Sequence, residues 1–120
     1  MSTSIGATTR LAAVLGWPIG HSRSPQIMNA AFSALGIDAT LVPIGVPPEG
    51  LAAAVAGLRA QHALGVSVTI PHKLAVVALC DELSDAARAI GAVNCQQITD
   101  HRLIGHNTDG SGWAWGFRRA

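Results

Sequence analysis

The sequence predicts an α/β fold: a three-layer sandwich in which a mostly parallel sheet with one antiparallel hairpin strand carries helices on both faces. Three observations predict it. Short apolar runs alternate with helical patterns along the chain, the order in which βαβ units are written. The first run, Arg10 to Gly16, lacks polar alternation, as expected of a strand buried on both sides. Two late strand-like runs are separated only by Asp100-His101, and so short a connection joins antiparallel neighbours.

The elements follow in order. Gly16 and Pro18 close the first strand; Ser24-Pro25 reads as a helix cap followed by proline at the first helical position. Ile27, Ala31, Ala34 and Leu35 then recur at helical spacing until Gly36 ends the run. Ala39 to Ile44 is a second strand. Pro47-Pro48-Glu49 opens an alanine-rich helix with Leu51, Val55 and Leu58 on one stripe, reaching about Gln61. Gly65 to Ile70 is a third strand, stopped by Pro71. A helix from about Lys73 to Cys80 follows, then a short one capped by Ser84 and ended by Gly91. Val93 to Thr99 and Arg102 to His106 form the hairpin, and Ser111 to Arg118 reads as a terminal helix. Met1 to Thr8, small and polar, is expected to be loose.

At 120 residues the chain suffices for one compact domain. A catalytic domain together with a dinucleotide-binding domain needs roughly twice that. Eight Lys and Arg against seven Asp and Glu leave +1, so there is no electrostatic footprint for nucleic acid or an acidic membrane. Charged residues are 12% of the chain, against a usual share of about 25%. So few charges point to a face covered by another domain or subunit, and to self-association as a homo-oligomer. Cys80 and Cys95 fit no metal-ligand or C-x-x-C spacing and read as reduced thiols of a cytoplasmic protein. Leu11 to Trp17 mimics a signal-peptide core, but it breaks at Pro18 and lacks a small-x-small cleavage site. No apolar run approaches the roughly 20 residues that span a bilayer.

In parallel sheets, ligands bind beyond the carboxyl ends of the strands, where loops become helix N-termini. Three loops with unusual chemistry belong there. The first, Gly16-Trp-Pro-Ile-Gly-His-Ser-Arg-Ser-Pro25, sets Ser22 and Ser24 before a helix, where hydroxyls and free N–H groups suit a carboxylate or phosphate. The second, Ser67-Val-Thr-Ile-Pro-His-Lys73, directs the Ser67 and Thr69 hydroxyls to one face by the period of two and sets Lys73 at the corner. His72 beside it reads as loop filler. The third joins Gly91-Ala-Val-Asn94 to Asn107-Thr-Asp109-Gly110, so that Asn94 and Asp109 can converge at one end of the sheet. Singly, these Asn and Asp residues are ordinary turn formers. Together, Lys73 and Asp109 make a proton-transfer pair, since a nearby carboxylate tunes an amine. Gly110-Ser-Gly112 with Gly116 imitates a dinucleotide fingerprint, but its third glycine is one residue late and it is rejected as a cofactor site. Trp113, Trp115 and Phe117 serve equally well as a partner stripe or as packing.

At these loops the chain resembles the substrate-binding N-terminal domain of shikimate dehydrogenases. The resemblance rests on G-x-P-x-x-H-S-x-S-P over Gly16–Pro25, on Val68-Thr-Ile-Pro-His-Lys73, on Gly91-Ala-Val-Asn94 and on Asn107-Thr-Asp109-Gly110, in that order. It implies that Ser22 and Ser24 hold the carboxylate of shikimate, that Thr69 adds a hydroxyl contact and that Asn94 meets the ring hydroxyls. Lys73 and Asp109 would then be the catalytic pair, and NADP(H) the hydride carrier of the full-length enzyme. Ser67 stands where the family most often has Asn, Trp17 where it commonly has Asn, and Met28 where it often has His. These departures leave shikimate, quinate and related ring acids open as the small-molecule partner.

The resemblance also implies that residues 1–120 form the substrate domain with the NADP-binding domain absent. The isolated chain is then expected to bind no cofactor and to be inactive by itself, as a truncated part of an oxidoreductase of aromatic amino acid biosynthesis. The alternative is a stand-alone binding or regulatory module for a cyclic hydroxy acid.

Overall fold

The computed structural model describes residues 4–108. Asp109, the terminal segment with Trp113, Trp115 and Phe117, and Met1–Thr3 lie outside the described residues. Six strands form one sheet in the order β2-β1-β3-β5-β6-β4, with β1 Arg10–Gly16, β2 Ala39–Gly45, β3 Gly65–Val68, β4 Glu82–Leu83, β5 Cys95–Thr99 and β6 Arg102–His106. β1 runs parallel to β2 and β3, and β4 parallel to β6. β5 alone runs against its neighbours, pairing antiparallel with both β3 and β6. The helices are α1 Ser24–Leu35, α2 Leu51–Ala60 and α3 Asp85–Ile90.

Strand β1 decides the layering. Its side chains alternate between two cores, so nearly every residue is buried, and this is why its sequence shows no polar period. Ala13 and Leu15 join Val66, Val68, Leu51, Val55 and Leu58 in the larger core beneath α2. Ala12 and Val14 face the other way, toward Phe32 of α1 with Ala39 and Leu41 of β2. Helix α1 is held over the sheet's outer edge by Asn29. Its side chain accepts from Leu41 N–H at 2.8 Å and donates to Leu41 C=O at 3.0 Å, satisfying backbone groups that an edge strand leaves open.

Caps and turns follow the expected chemistry. Gly36 and Gly91 end α1 and α3 with φ of 68° and 80°, the left-handed conformation glycine adopts without strain. Ser84 Oγ accepts from Ala87 N–H at 3.1 Å. Asp100 and His101 are both left-handed, at 50° and 65°, as a two-residue hairpin turn requires.

Several expectations are corrected. The segment after Lys73 is a 3₁₀ turn, Ala75–Leu79, because the β-branched Val76 and Val77 and the extended Cys80 leave no room for a full helix. Pro48–Gly50 is likewise a 3₁₀ turn, and α2 begins only at Leu51. The regular part of β3 stops at Val68, and two-residue β4 was too short to show any period. Ser24 is not the cap of α1. Arg23 already has helical backbone angles and takes that position, making Ser24 the first helical residue. Thr8, at the end of the segment expected to be loose, is tied down with its neighbour: the Thr8 and Thr9 hydroxyls donate to the Asp38 carboxylate at 2.6 and 2.7 Å. Those two bonds hold Asp38 below the ordinary carboxylate range.

Candidate functional site

Because α1 sits over β2, the same face of β3 and β5 is left as the floor of a cleft of about 850 Å³, within the usual size of small-molecule sites. It opens at the carboxyl ends of β1 and β3. Ser22, Ser24, Ser67, Thr69, Lys73 and Asn94 all line it. Three separate segments thus bring six of the seven predicted site residues to one cavity. The seventh, Asp109, lies outside the described residues; Thr108 before it is on the cleft wall.

The loops are knitted by main-chain bonds. Thr69 N–H donates to Leu15 C=O at 2.9 Å, Trp17 N–H to Ile70 C=O at 3.1 Å, and Val68 N–H to Asn94 C=O at 2.8 Å. Peptides Trp17–Pro18 and Ile70–Pro71 are cis. At the head of α1, Ser24 N–H donates to Ser22 Oγ at 3.2 Å, so the two hydroxyls are set by one tight turn beside free N–H groups of the helix start. Such an arrangement accepts a carboxylate through hydroxyl and amide donors.

Across the cleft, Asn94 is fixed by Thr108. Thr108 N–H donates to Asn94 Oδ1 and Asn94 Nδ2 donates to Thr108 Oγ1, both at 3.1 Å. Lys73, half-buried, follows the β3 corner, and its carbonyl accepts from Val93 N–H at 2.9 Å. The amine therefore stands on a backbone joined to the residue before Asn94. Cys95 lies directly opposite Ser67 in the antiparallel register, and both line the floor. Burial pushes the Cys95 thiol above its usual range, so near neutral pH it is a small apolar wall rather than a nucleophile. A smaller cavity of about 250 Å³ lies at the other end of the sheet, lined by Arg10, His62, Asp100 and His101. It contains none of the predicted residues.

A family model described as shikimate dehydrogenase substrate binding domain matches residues 14–95, more than half the chain. The chain belongs to this family. The shikimate dehydrogenase (NADP(+)) of Citrifermentans bemidjiense is 50% identical over 109 residues, covering 91% of this chain and 38% of that protein. A crystal structure of a shikimate dehydrogenase in complex with NADP+ superposes with a TM-score of 0.91 at 38% identity, covering 99% of this chain and 42% of the other. A ligand-free 5-ketofructose reductase from a Gluconobacter strain superposes at 0.87 with 35% identity, covering 96% and 42%. The chain spans about two fifths of the length of the curated relatives it matches. Among the described residues no helix is long and apolar enough to cross a membrane.

Sequence reasoning missed three contributors. Thr108 was read only as part of a turn, although a hydroxyl two residues beyond a strand end is a plain partner for Asn94. Cys95 could be found only with the β3–β5 register in hand. His72, read as loop filler, is in fact 1% exposed and bonded through its ring to the Val46 carbonyl at 2.7 Å.

Proposed function

We propose that the cleft binds a ring acid of the shikimate type, and that the chain is the substrate-binding part of a shikimate dehydrogenase-like oxidoreductase interconverting 3-dehydroshikimate and shikimate with NADP(H). The observation that carries this reading is the meeting of six hydroxyl, amide and amine side chains from three chain segments around one cavity at the carboxyl ends of parallel strands. Ser22 and Ser24 take the carboxylate. Thr69, Ser67 and Asn94 hold ring hydroxyls, and the apolar floor of Val14 and Cys95 takes the ring carbons. Lys73, with Asp109 as its carboxylate partner, moves the proton on the ring oxygen as hydroxyl and ketone interconvert.

NADP(H) supplies the hydride in the whole enzyme. The strand-to-helix turns among the described residues do not fit a dinucleotide: Gly20 is the only glycine between Gly16 at the end of β1 and the start of α1, and Thr69–Leu74 has none. These residues orient the substrate and manage its proton.

Calorimetric titration of the chain with shikimate tests the proposal. Binding is expected, weakened about tenfold or more by Lys73→Ala, since one charge-assisted hydrogen bond is worth about 1.5–3 kcal/mol. Affinity unchanged by Lys73→Ala would remove the assigned pocket. The likeness to a 5-ketofructose reductase favours, as a second reading, an acyclic or sugar-like polyhydroxy ketone. Quinate and 5-ketofructose titrated alongside separate the two, because only a ring acid engages Ser22 and Ser24 through a carboxylate.

A further inference from the structure

We propose that His72 is a positioning residue, whose ring N–H sets where Lys73 presents its amine to the cleft. The inference rests on the reading of Lys73 as the acid–base group of that cleft. It starts from the way the Thr69–Lys73 corner is clamped. His72 N–H donates to Thr69 C=O, Val76 N–H donates to His72 C=O, and Val93 N–H donates to Lys73 C=O, each at 2.9 Å. These three bonds are main-chain and are available to any residue with a backbone N–H. The fourth is not: His72 Nε2 lies 2.7 Å from the carbonyl of Val46, in the loop that leaves β2. A carbonyl only accepts, so Nε2 carries the proton and the ring is the donor.

Both partners are buried, at 1% and 5% exposure, so the bond is shielded from competing water and its loss would leave the Val46 oxygen without this donor. Val46 N–H in turn donates to Gly16 C=O at 2.9 Å, and Gly16 opens the loop carrying Ser22 and Ser24. One imidazole therefore ties the lysine corner to the exits of β2 and β1. A residue adjacent to the amine and locked in this way fixes the backbone from which Lys73 reaches out, while never touching the ligand space itself: His72 is not among the residues lining the cleft.

Lys73 is the only lysine in the chain. Reductive methylation with ¹³C-formaldehyde consequently labels only Lys73 and the amino terminus, and the Lys73 methyl resonance reports its surroundings in the intact protein. His72→Gln keeps an amide N–H at about the reach of Nε2; His72→Asn falls one methylene short. The His72→Gln chain is expected to keep the wild-type resonance and shikimate affinity. The His72→Asn chain is expected to move the resonance toward that of a solvated dimethyl-lysine and to weaken shikimate about tenfold.

A merely structural His72 would lower the melting temperature of His72→Asn without moving the resonance, and that result overturns the proposal. So does a His72→Gln chain as displaced as His72→Asn. Should His72→Asn fail to fold, the His72→Gln spectrum decides alone: wild-type position upholds the role and displacement ends it. If wild type itself binds no shikimate, the ring-acid reading falls, while the resonance comparison still decides whether His72 positions Lys73.

Discussion

Gly16 meets the cleft-lining Thr69 so closely that a Cβ built on Gly16 would lie 2.6 Å from Thr69 Cγ2. It would also lie 2.9 Å from Ile19 Cδ1 and 3.3 Å from the Ile70 carbonyl. The glycine that ends β1 is thus needed for space, and the side chain it admits is one of the proposed substrate contacts. Gly16→Ala is expected to destabilise by about 1–3 kcal/mol through overpacking and to displace the Thr69 hydroxyl. Gly105→Ala provides the control: its Cβ would meet Cys80, Val93 and Leu83 at 2.7 to 3.0 Å, on side chains that do not line the cleft. Thermal melting should fall for both, but calorimetric affinity for shikimate should fall only for Gly16→Ala. Equal affinities would show that Thr69 contributes nothing to binding.

The two serines of the first loop separate structure from binding. Ser24 lies one residue past the cap position, which Arg23 takes, so Ser24→Ala should leave stability within about 0.5 kcal/mol of wild type. Ser22 Oγ accepts from Ser24 N–H, and Ser22→Ala should cost about 0.5–1 kcal/mol. Ser84→Ala, which removes a working cap on α3, should cost about 1 kcal/mol and leave shikimate affinity untouched. Under the carboxylate assignment, both Ser22→Ala and Ser24→Ala weaken shikimate. Denaturant melts paired with titrations of the three variants check this pattern.

Asn94 holds Thr108 through two bonds, one to its backbone N–H. In Asn94→Ala the Thr108 amide loses its acceptor, and its hydrogen exchange should speed up at least tenfold while amides of β1 keep their protection. An unchanged Thr108 exchange rate would mean that the amide is protected by something other than Asn94.

What could be read beforehand followed from local chemistry. The uninterrupted apolar run of Arg10 to Gly16, glycines at 36 and 91, the Ser84 cap and the Asp100-His101 turn each depend on a few neighbouring residues, and each stands where it was expected. That Ser22, Ser24, Ser67, Thr69, Lys73 and Asn94 gather in one cleft was legible for a similar reason: the three segments that carry them follow or precede strand ends, and the sheet collects such ends on one side. Elements set by distant partners were not legible. β4 exists because Glu82 and Leu83 find Ile104 and Gly105; Asn29 matters because α1 comes to rest on the Leu41 backbone; His72 is a core donor because the β2 loop brings Val46 to it. The Ser24 assignment failed by a single residue, since Arg23 entered the helical region first.

Cys95 gives the pH dependence. Its thiol, on the cleft floor opposite Ser67, is raised above the ordinary thiol range by burial, and the Cys80 thiol is raised chiefly by burial as well. The unfolded chain releases these protons at the ordinary thiol value, whereas the folded chain holds them to higher pH. The associated stability is fully present below about pH 9 and is lost as pH rises through the folded values. Melting temperatures should therefore hold between pH 7 and pH 8.5 and decline above pH 9, with Cys95→Ala reducing the decline. The same burial makes Cys95 slow to alkylate near neutral pH, because the thiolate is the nucleophile. Iodoacetamide modification followed by mass spectrometry should show Cys95 reacting more slowly than a free thiol and more slowly still under saturating shikimate, since the ligand would cover the floor on which the sulfur lies. Alkylation at a rate indifferent to shikimate would place the ring acid elsewhere than over the Ser67–Cys95 pair.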